Sequence, residues 1–523
     1  MRVLVSDSLA EEGIRRLQTE TEVDFMPGIS PEELIKRIKD YDALAIRSGT
    51  KVTEDVINAA EKLKVIGRAG VGVDNVDIDA ATKKGIIVVN TPGGNTISAA
   101  EHTIAMMLAL SRNIPQANSS LKGGEWKKKM YAGVEVYNKT LGIVGIGRIG
   151  AEVAKRMKAF EMRILGYDPF VTEERAGELG IRMATLDEIF RESDFITVHT
   201  PLTPETRNLI DEPELRIMKP GVRLINCARG GIINEEALAR AVADGRVAGA
   251  AVDVFTKEPP TGNPMLDQNK IIVTPHLGAS TAEAQINVAV AVADQILEVM
   301  RGNIPSNALN IPAMPAEERA IMEPYMTLAE KMGSLIGQFG EGRYEKLEII
   351  YGGSVAERNT KPVTLAAVKG FMETVVGKVN FVNAPFMLKE KGIKLTESKT
   401  ETTNGYSNLI TIKLHNSGEA VSIHGTVYGK KEGRIVQIND YRVYVPSVGS
   451  MIMAIHEDRP NVIGPCCVVL GENKINIGGM HVGRIAPGKP QLMVLNVDQP
   501  VPDETLEKLR AVSGVISAKQ ISL

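Results

Sequence analysis

Leu141-Gly142-Ile143-Val144-Gly145-Ile146-Gly147-Arg148-Ile149-Gly150 decides the fold. The apolar run Leu141 to Val144 reads as a strand, and it enters a G-x-G-x-x-G at Gly145, Gly147 and Gly150. A helical pattern, Ala151 to Phe160, leaves the motif, and a second apolar strand, Arg163 to Tyr167, ends at Asp168. The first glycine permits the tight turn, the second lets backbone approach a pyrophosphate, and the third brings helix close to strand. The helix N-terminus offers free N–H groups and partial positive charge to that pyrophosphate. Asp168 stands close to the ~20 residues beyond the glycines at which an acid binds the adenosine ribose. Its charge would repel a 2′-phosphate, so the unit predicts a dinucleotide site for NAD rather than NADP.

The rest of the composition is ordinary. The 523 residues suggest several domains, and 43% apolar and 24% charged residues suit a soluble globular chain. A net charge of −3 gives no reason to expect a nucleic-acid or membrane partner. The three cysteines, Cys227, Cys466 and Cys467, form no C-x-x-C pair or disulfide framework, which fits a reducing cytoplasm. No signal peptide or long apolar span is read, and the histidines show no metal-ligand spacing.

Short apolar strands alternate with helical stretches over residues 1–96, reading as a parallel α/β unit. The expected NAD-binding unit, 97–282, opens with a helix from Ile97 to Leu110, Ser98 being its expected N-cap. The helical stretch Glu283 to Arg301 is expected to return the chain to the first unit, completing it with 283–305. Ile304 to Pro315, rich in Pro and Asn, reads as an extended linker. Residues 306–447 are expected to form an intervening α+β domain, and 448–523 a ferredoxin-like β-α-β-β-α-β module.

Three further strands of the second unit each deliver an ionisable residue beyond the carboxyl end. Arg229 follows Val222–Asn226, Glu258 follows Ala248–Phe255, and His276 follows Ile271–Thr274. In open α/β sheets that edge is where ligands bind. Oxidising a 2-hydroxy acid removes a hydride from carbon and a proton from oxygen. A histidine can take the proton near neutral pH. A carboxylate can hold the imidazole in one tautomer, and an arginine can grip the substrate carboxylate through two parallel hydrogen bonds. His276 is therefore the expected acid/base, Glu258 its partner and Arg229 the clamp.

These segments, with Asp253-Val254-Phe255 and Pro275-His276-Leu277-Gly278-Ala279, resemble the D-2-hydroxyacid dehydrogenase family, in particular its long-form branch acting on phosphoglycerate. Ile46–Thr50, Gly67–Asp77 and Asn90–Asn95 match that branch's substrate-domain pattern. The resemblance implies a Rossmann-like cofactor domain inserted in a flavodoxin-like substrate domain. It places Arg148, Ile149, Asp168, Thr200, Cys227, Ala228, Asp253, Gly278 and Ala279 at the cofactor. It implies 3-phosphoglycerate as substrate and a homodimer or homotetramer. That substrate carries about three negative charges, more than Arg229 alone balances. Arg47, Ser48, Arg68 and Asn95 are expected to face it, Arg47 toward the phosphate; the run Lys127-Lys128-Lys129 is implied to reach a partner subunit or else is a solvated face. A reductase for other 2-keto acids and an NAD-responsive corepressor-like protein are the alternatives. The corepressor reading would require a partner surface or a flexible tail.

His456-Glu457-Asp458-Arg459-Pro460-Asn461 and Ile475-Asn476-Ile477-Gly478 resemble the ACT amino-acid-sensing module. The resemblance implies L-serine as effector, with His456, Asp458 and Asn476 around it. Asn461 stands where that module usually has glycine. Lys361, Lys369, Lys430, Lys431 and Arg434 read as an anion site in the intervening domain or as exposed charge.

Overall fold

The computed structural model describes residues 1–523 except 313, 315, 341, 417–419 and 430. The first sheet holds β1 (Arg2–Val5), β2 (Glu22–Phe25), β3 (Ala43–Ile46), β4 (Val65–Arg68) and β5 (Ile87–Asn90) in the order β2-β1-β3-β4-β5, all parallel. Val3, Leu4, Leu44 and Val65 are sealed from water, as strands covered on both faces must be. The helix Ala282–Met300, capped by the Thr281 side chain, lies on this sheet. Gly67 makes room for it, since a Cβ there would stand 2.7 Å from Val292 and Ile296. Sequence-distant residues thus complete the first unit.

The second sheet holds β6 (Thr140–Val144), β7 (Arg163–Tyr167), β8 (Arg182–Met183), β9 (Phe195–Val198), β10 (Val222–Asn226), β11 (Val247–Val252) and β12 (Ile271–Val273). Its order, β12-β11-β10-β9-β6-β7-β8, is doubly wound. The order reverses between β6 and β9, so a crevice opens beyond their carboxyl ends, where the glycine loop lies.

One expectation needs correction. The helix over this region runs Thr96–Arg112, so Ser98 sits inside it; its hydroxyl donates instead to the Gly278 carbonyl (2.9 Å), tying the helix to the loop after β12. The described part of the stretch Ile304 to Pro315 forms no helix, and it is fastened to the first sheet. Leu309 N donates to Val88 O (2.8 Å), and Asn310 bonds the backbone of Val88 and Ile86, so the segment covers the exposed edge of β5. Ala313 and Pro315 of that stretch lie outside the described residues.

The third sheet, β14-β13-β15-β16-β17-β18, joins β13 (Tyr344–Gly353), β14 (Lys394–Thr400), β15 (Asn408–Asn416), β16 (Val421–Tyr428), β17 (Glu432–Ile438) and β18 (Tyr441–Pro446). Helices Ala316–Phe339 and Lys361–Val376 share its core. The last sheet, β20-β21-β19-β22, joins β19 (Ser450–His456), β20 (Ile477–Arg484), β21 (Gln491–Val497) and β22 (Val515–Ser522) in antiparallel pairs. Helices Ile463–Glu472 and Asp503–Arg510 complete the ferredoxin-like pattern, and Cys466 is buried in the first of them. No described helix is long and apolar enough to cross a membrane.

Candidate active site

Three loops beyond β10, β11 and β12 meet at one wall. His276 Nδ1 lies 2.9 and 3.1 Å from the two carboxylate oxygens of Glu258, within hydrogen-bond range. Glu258 Oε1 also accepts from Phe255 N (3.1 Å), which fixes the carboxylate. His276 has φ +57°, a conformation that the surrounding bonds must hold. Its N–H donates to Asp253 O (2.9 Å). The Asp253 carboxylate accepts from Thr274 Oγ1 (2.5 Å), Leu277 N (2.7 Å) and Gly278 N (2.8 Å). Burial pushes the Asp253 carboxyl up, but bonds from His102, Thr274 and those N–H groups outweigh it and hold its pKa below the ordinary value. With Nδ1 engaged by Glu258, Nε2 is the ring nitrogen that could exchange a proton.

The facing wall comes from the first sheet. Arg47, Ser48, Arg68 and Asn95 line the same cleft as Arg229, Glu258 and His276, a space of about 740 Å³ that also takes in Lys51, Asp74 and Ala279. Arg68 is the most confined cation. Burial, then the charges of Arg229 and Arg47, push its guanidinium down to about 10. It remains charged at neutral pH and gains from any anion placed beside it. Arg68 Nε and Asn95 Oδ1 are buried and have no partner in the structure. Groups of this kind normally have one, so both could accept a polar ligand. Arg229 reaches across the cleft, its Nε 3.7 Å from the exposed Asp74 carboxylate. Arg47 donates from its side chain to Ser8 O (3.2 Å), and its backbone N–H donates to Asp7 (2.5 Å).

The glycine loop fits a dinucleotide. Gly145 adopts φ +97°, and a Cβ on Gly150 would stand 2.1 Å from Gly145 O. Around Gly147 the space is open, with no atom within 4 Å of the Cβ position. Helix Arg148–Ala159 starts there with no side-chain cap, leaving the N–H groups of its first turn, Arg148 and Ile149 among them, for phosphate. Asp168 directly follows β7 and accepts from Ile146 N (2.9 Å). Thr200 Oγ1, beside Gly145, is a third buried orphan. Cys227 and Ala228 follow β10, and burial with nearby Asp253 pushes the Cys227 thiol up to about 12, so it is an inert neutral group.

Residues 104–278 match the family model of the D-isomer specific 2-hydroxyacid dehydrogenase NAD binding domain, and 321–439 that of the D-3-phosphoglycerate dehydrogenase intervening domain. The chain is 45% identical over 525 residues to D-3-phosphoglycerate dehydrogenase of Methanocaldococcus jannaschii, covering 100% of both chains. It is likewise 45% identical to that of Bacillus subtilis, covering 100% of this chain and 99% of the relative. The chain belongs to the D-3-phosphoglycerate dehydrogenase family. Among solved structures, D-lactate dehydrogenase from Aquifex aeolicus complexed with NAD and lactic acid is similar, at TM-score 0.54 and 28% identity over 60% of this chain and 100% of that one.

In this member of the D-3-phosphoglycerate dehydrogenase family, the C-terminal residues named from sequence are separately engaged. Asp458 accepts from Gly488 N (2.8 Å) and pairs with Arg484 and Gln491; the Gly488 N–H first, then Arg484, hold its carboxyl below the usual range. Asn476 donates to Asp498 (2.7 Å), and His456 Nδ1 contacts Glu457 O (2.8 Å) while its Nε2 is buried without a partner. Asn461 adopts φ +64°, a left-handed conformation that glycine or asparagine accepts most readily. In the intervening domain Lys369 pairs with Glu330 (2.6 Å) and Arg434 pairs with Glu432 and covers the Tyr444 ring; Lys430 lies outside the described residues. Trp126 is 81% exposed and Lys127 pairs with Glu125 (2.6 Å).

Sequence reasoning missed His102, whose Nε2 lies 3.2 Å from Asp253, and Glu235, which holds the Glu258 loop. Neither stands at a strand end, so spacing carries no signal for them.

Proposed function

We propose that this cleft oxidises D-3-phosphoglycerate at C2 to 3-phosphohydroxypyruvate with NAD, the opening step of L-serine biosynthesis. The observation that carries the reading is one cleft in which the Glu258–His276 pair and Arg229 face Arg47, Arg68 and Asn95. Arg229 grips the substrate carboxylate. Arg47 and Arg68 take the phosphate, with Asn95 and Ser48 supplying hydrogen bonds. Arg68 lies near Arg229 and Arg47, whose charges outweigh those of Asp74 and Asp7 on it, so a phosphate placed there would be favoured. His276 Nε2 accepts the C2 hydroxyl proton, and Glu258 steadies the ring and the charge it gains. Gly145, Gly147, Gly150, Asp168, Thr200, Ala228, Asp253, Gly278 and Ala279 would hold NAD along the glycine loop, where it would supply the hydride acceptor.

The C-terminal module is the seat of serine feedback, with Asp458, Asn476 and His456 as its effector contacts. Serine would act by favouring one arrangement over another. The working form is a homodimer or homotetramer in the cytoplasm.

The test is NADH production from 3-phosphoglycerate, D-glycerate, D-lactate and 2-hydroxyglutarate, with and without serine. The expected result is the highest kcat/KM for 3-phosphoglycerate and inhibition by serine. A higher kcat/KM for D-lactate or D-glycerate overturns the substrate, and no calorimetric uptake of serine overturns the feedback.

A further inference from the structure

Glu258 rides on a loop that hydrophobic burial does not hold. From Thr256 to Pro264 no side chain is buried. Within the loop, Thr261 N donates to Pro259 O (2.9 Å) and Asn263 N to Pro260 O (3.1 Å), but neither bond fastens it to the sheet. An exposed segment of this kind is costly to order unless something outside it grips its ends.

Besides the Phe255 N–H that meets Glu258 itself (3.1 Å), one carboxylate grips both ends. Glu235 opens the helix Glu235–Ala243, the helix that follows the Arg229 loop. Its Oε1 accepts from Thr256 N (2.6 Å) and Thr256 Oγ1 (2.8 Å), and its Oε2 accepts from Asn263 Nδ2 (2.5 Å). Thr256 and Asn263 are the two feet of the loop, and Glu258 stands between them. The two loops also touch directly, since a Cβ on Gly230 would lie 2.0 Å from the Phe255 carbonyl carbon.

We propose that Glu235 is a positioning residue of the active site: it grips both feet of the Glu258 loop and so sets where that carboxylate meets His276. This rests on the dehydrogenase reading of the cleft. The bland alternative is an acid favouring its helix N-terminus, which would act on stability alone.

The test uses the full chain with saturating NAD and 3-phosphoglycerate. Glu235→Ala is expected to lower kcat by about 10- to 100-fold, the scale of a displaced catalytic partner, with KM for NAD little changed. Glu235→Gln keeps an acceptor for Thr256 but sets an amide N–H₂ against Asn263, so it recovers part of the loss. In a Glu258→Gln background, Glu235→Ala should cost less than about twofold more, because its effect passes through Glu258. Equal losses in both backgrounds, or wild-type kcat in Glu235→Ala, overturn the proposal. Should Glu235→Ala no longer bind NADH, Asn263→Ala decides: a several-fold fall in kcat supports the role and no fall overturns it. His276→Ala separates the two levels. If it keeps wild-type turnover, the dehydrogenase reading itself fails; if it is inactive while Glu235→Ala keeps wild-type kcat, only the positioning role falls.

Discussion

The central cleft and the C-terminal module treat their chief charged groups, Arg68 and Asp458, in opposite ways. In the cleft, Arg68 Nε and Asn95 Oδ1 are buried and unmet, and three arginines crowd together. In the module, Asp458 is already met by Arg484, Gln491 and Gly488 of the β20–β21 hairpin. A site with unmet groups is ready for a ligand, because binding supplies bonds that folding left unmade. A site whose acid is already satisfied must release internal partners before it takes an amine. Catalysis in the cleft and the serine feedback proposed for the module are therefore expected to differ in how much the protein must rearrange.

The largest effect that could break this contrast lies at His276. His276→Ala should lower kcat by about 10²- to 10⁴-fold while NADH still binds, as checked by steady-state rates and fluorescence titration. A wild-type rate would mean the prepared wall does no chemistry. Next comes Arg68. Arg68→Ala should raise KM for 3-phosphoglycerate about 10- to 100-fold and leave KM for NAD nearly unchanged, because a charged hydrogen bond is lost on the substrate side only. A parallel rise in both constants would show that Arg68 shapes the cleft rather than meeting the phosphate.

The smallest effect is on stability, and its pH window separates the two regions. Burial holds His199, beneath the glycine loop, at about 4, well under its unfolded value. The unfolded chain therefore takes the proton first as pH falls. Stability on this account is complete above about pH 6.5 and is lost toward pH 4, by at most ~1.4 kcal/mol per pH unit. Asp458 has a lowered pKa, so its contribution is present above the unfolded carboxylate value of about 3.9 and goes only below it. Thermal melts of wild type and His199→Gln from pH 7 to 4 should diverge on acidification. Parallel curves would remove His199 as the cause.

Much of this was legible from residue order. The glycine loop, the acid after β7 and the three strand-end residues announce themselves because a parallel sheet sends its ligand groups to one edge. What stayed hidden depends on contacts between distant segments. The His102–Asp253 contact joins a helix to a loop far along the chain. Glu235 looks like any acid at a helix start until Thr256 and Asn263 fold onto it. Ser98 has the composition of a cap, yet the helix begins before it and Gly278 needs its hydroxyl. Asp458 is answered by Arg484, which no local pattern predicts.

The segment stitched along β5 has a mechanical consequence. Leu309 and Asn310 fasten the downstream domains to the first sheet, and Asn380 adds a second rivet at the Gly85 carbonyl (2.7 Å). Any closing of the cleft would therefore carry those domains as cargo with Arg47 and Arg68.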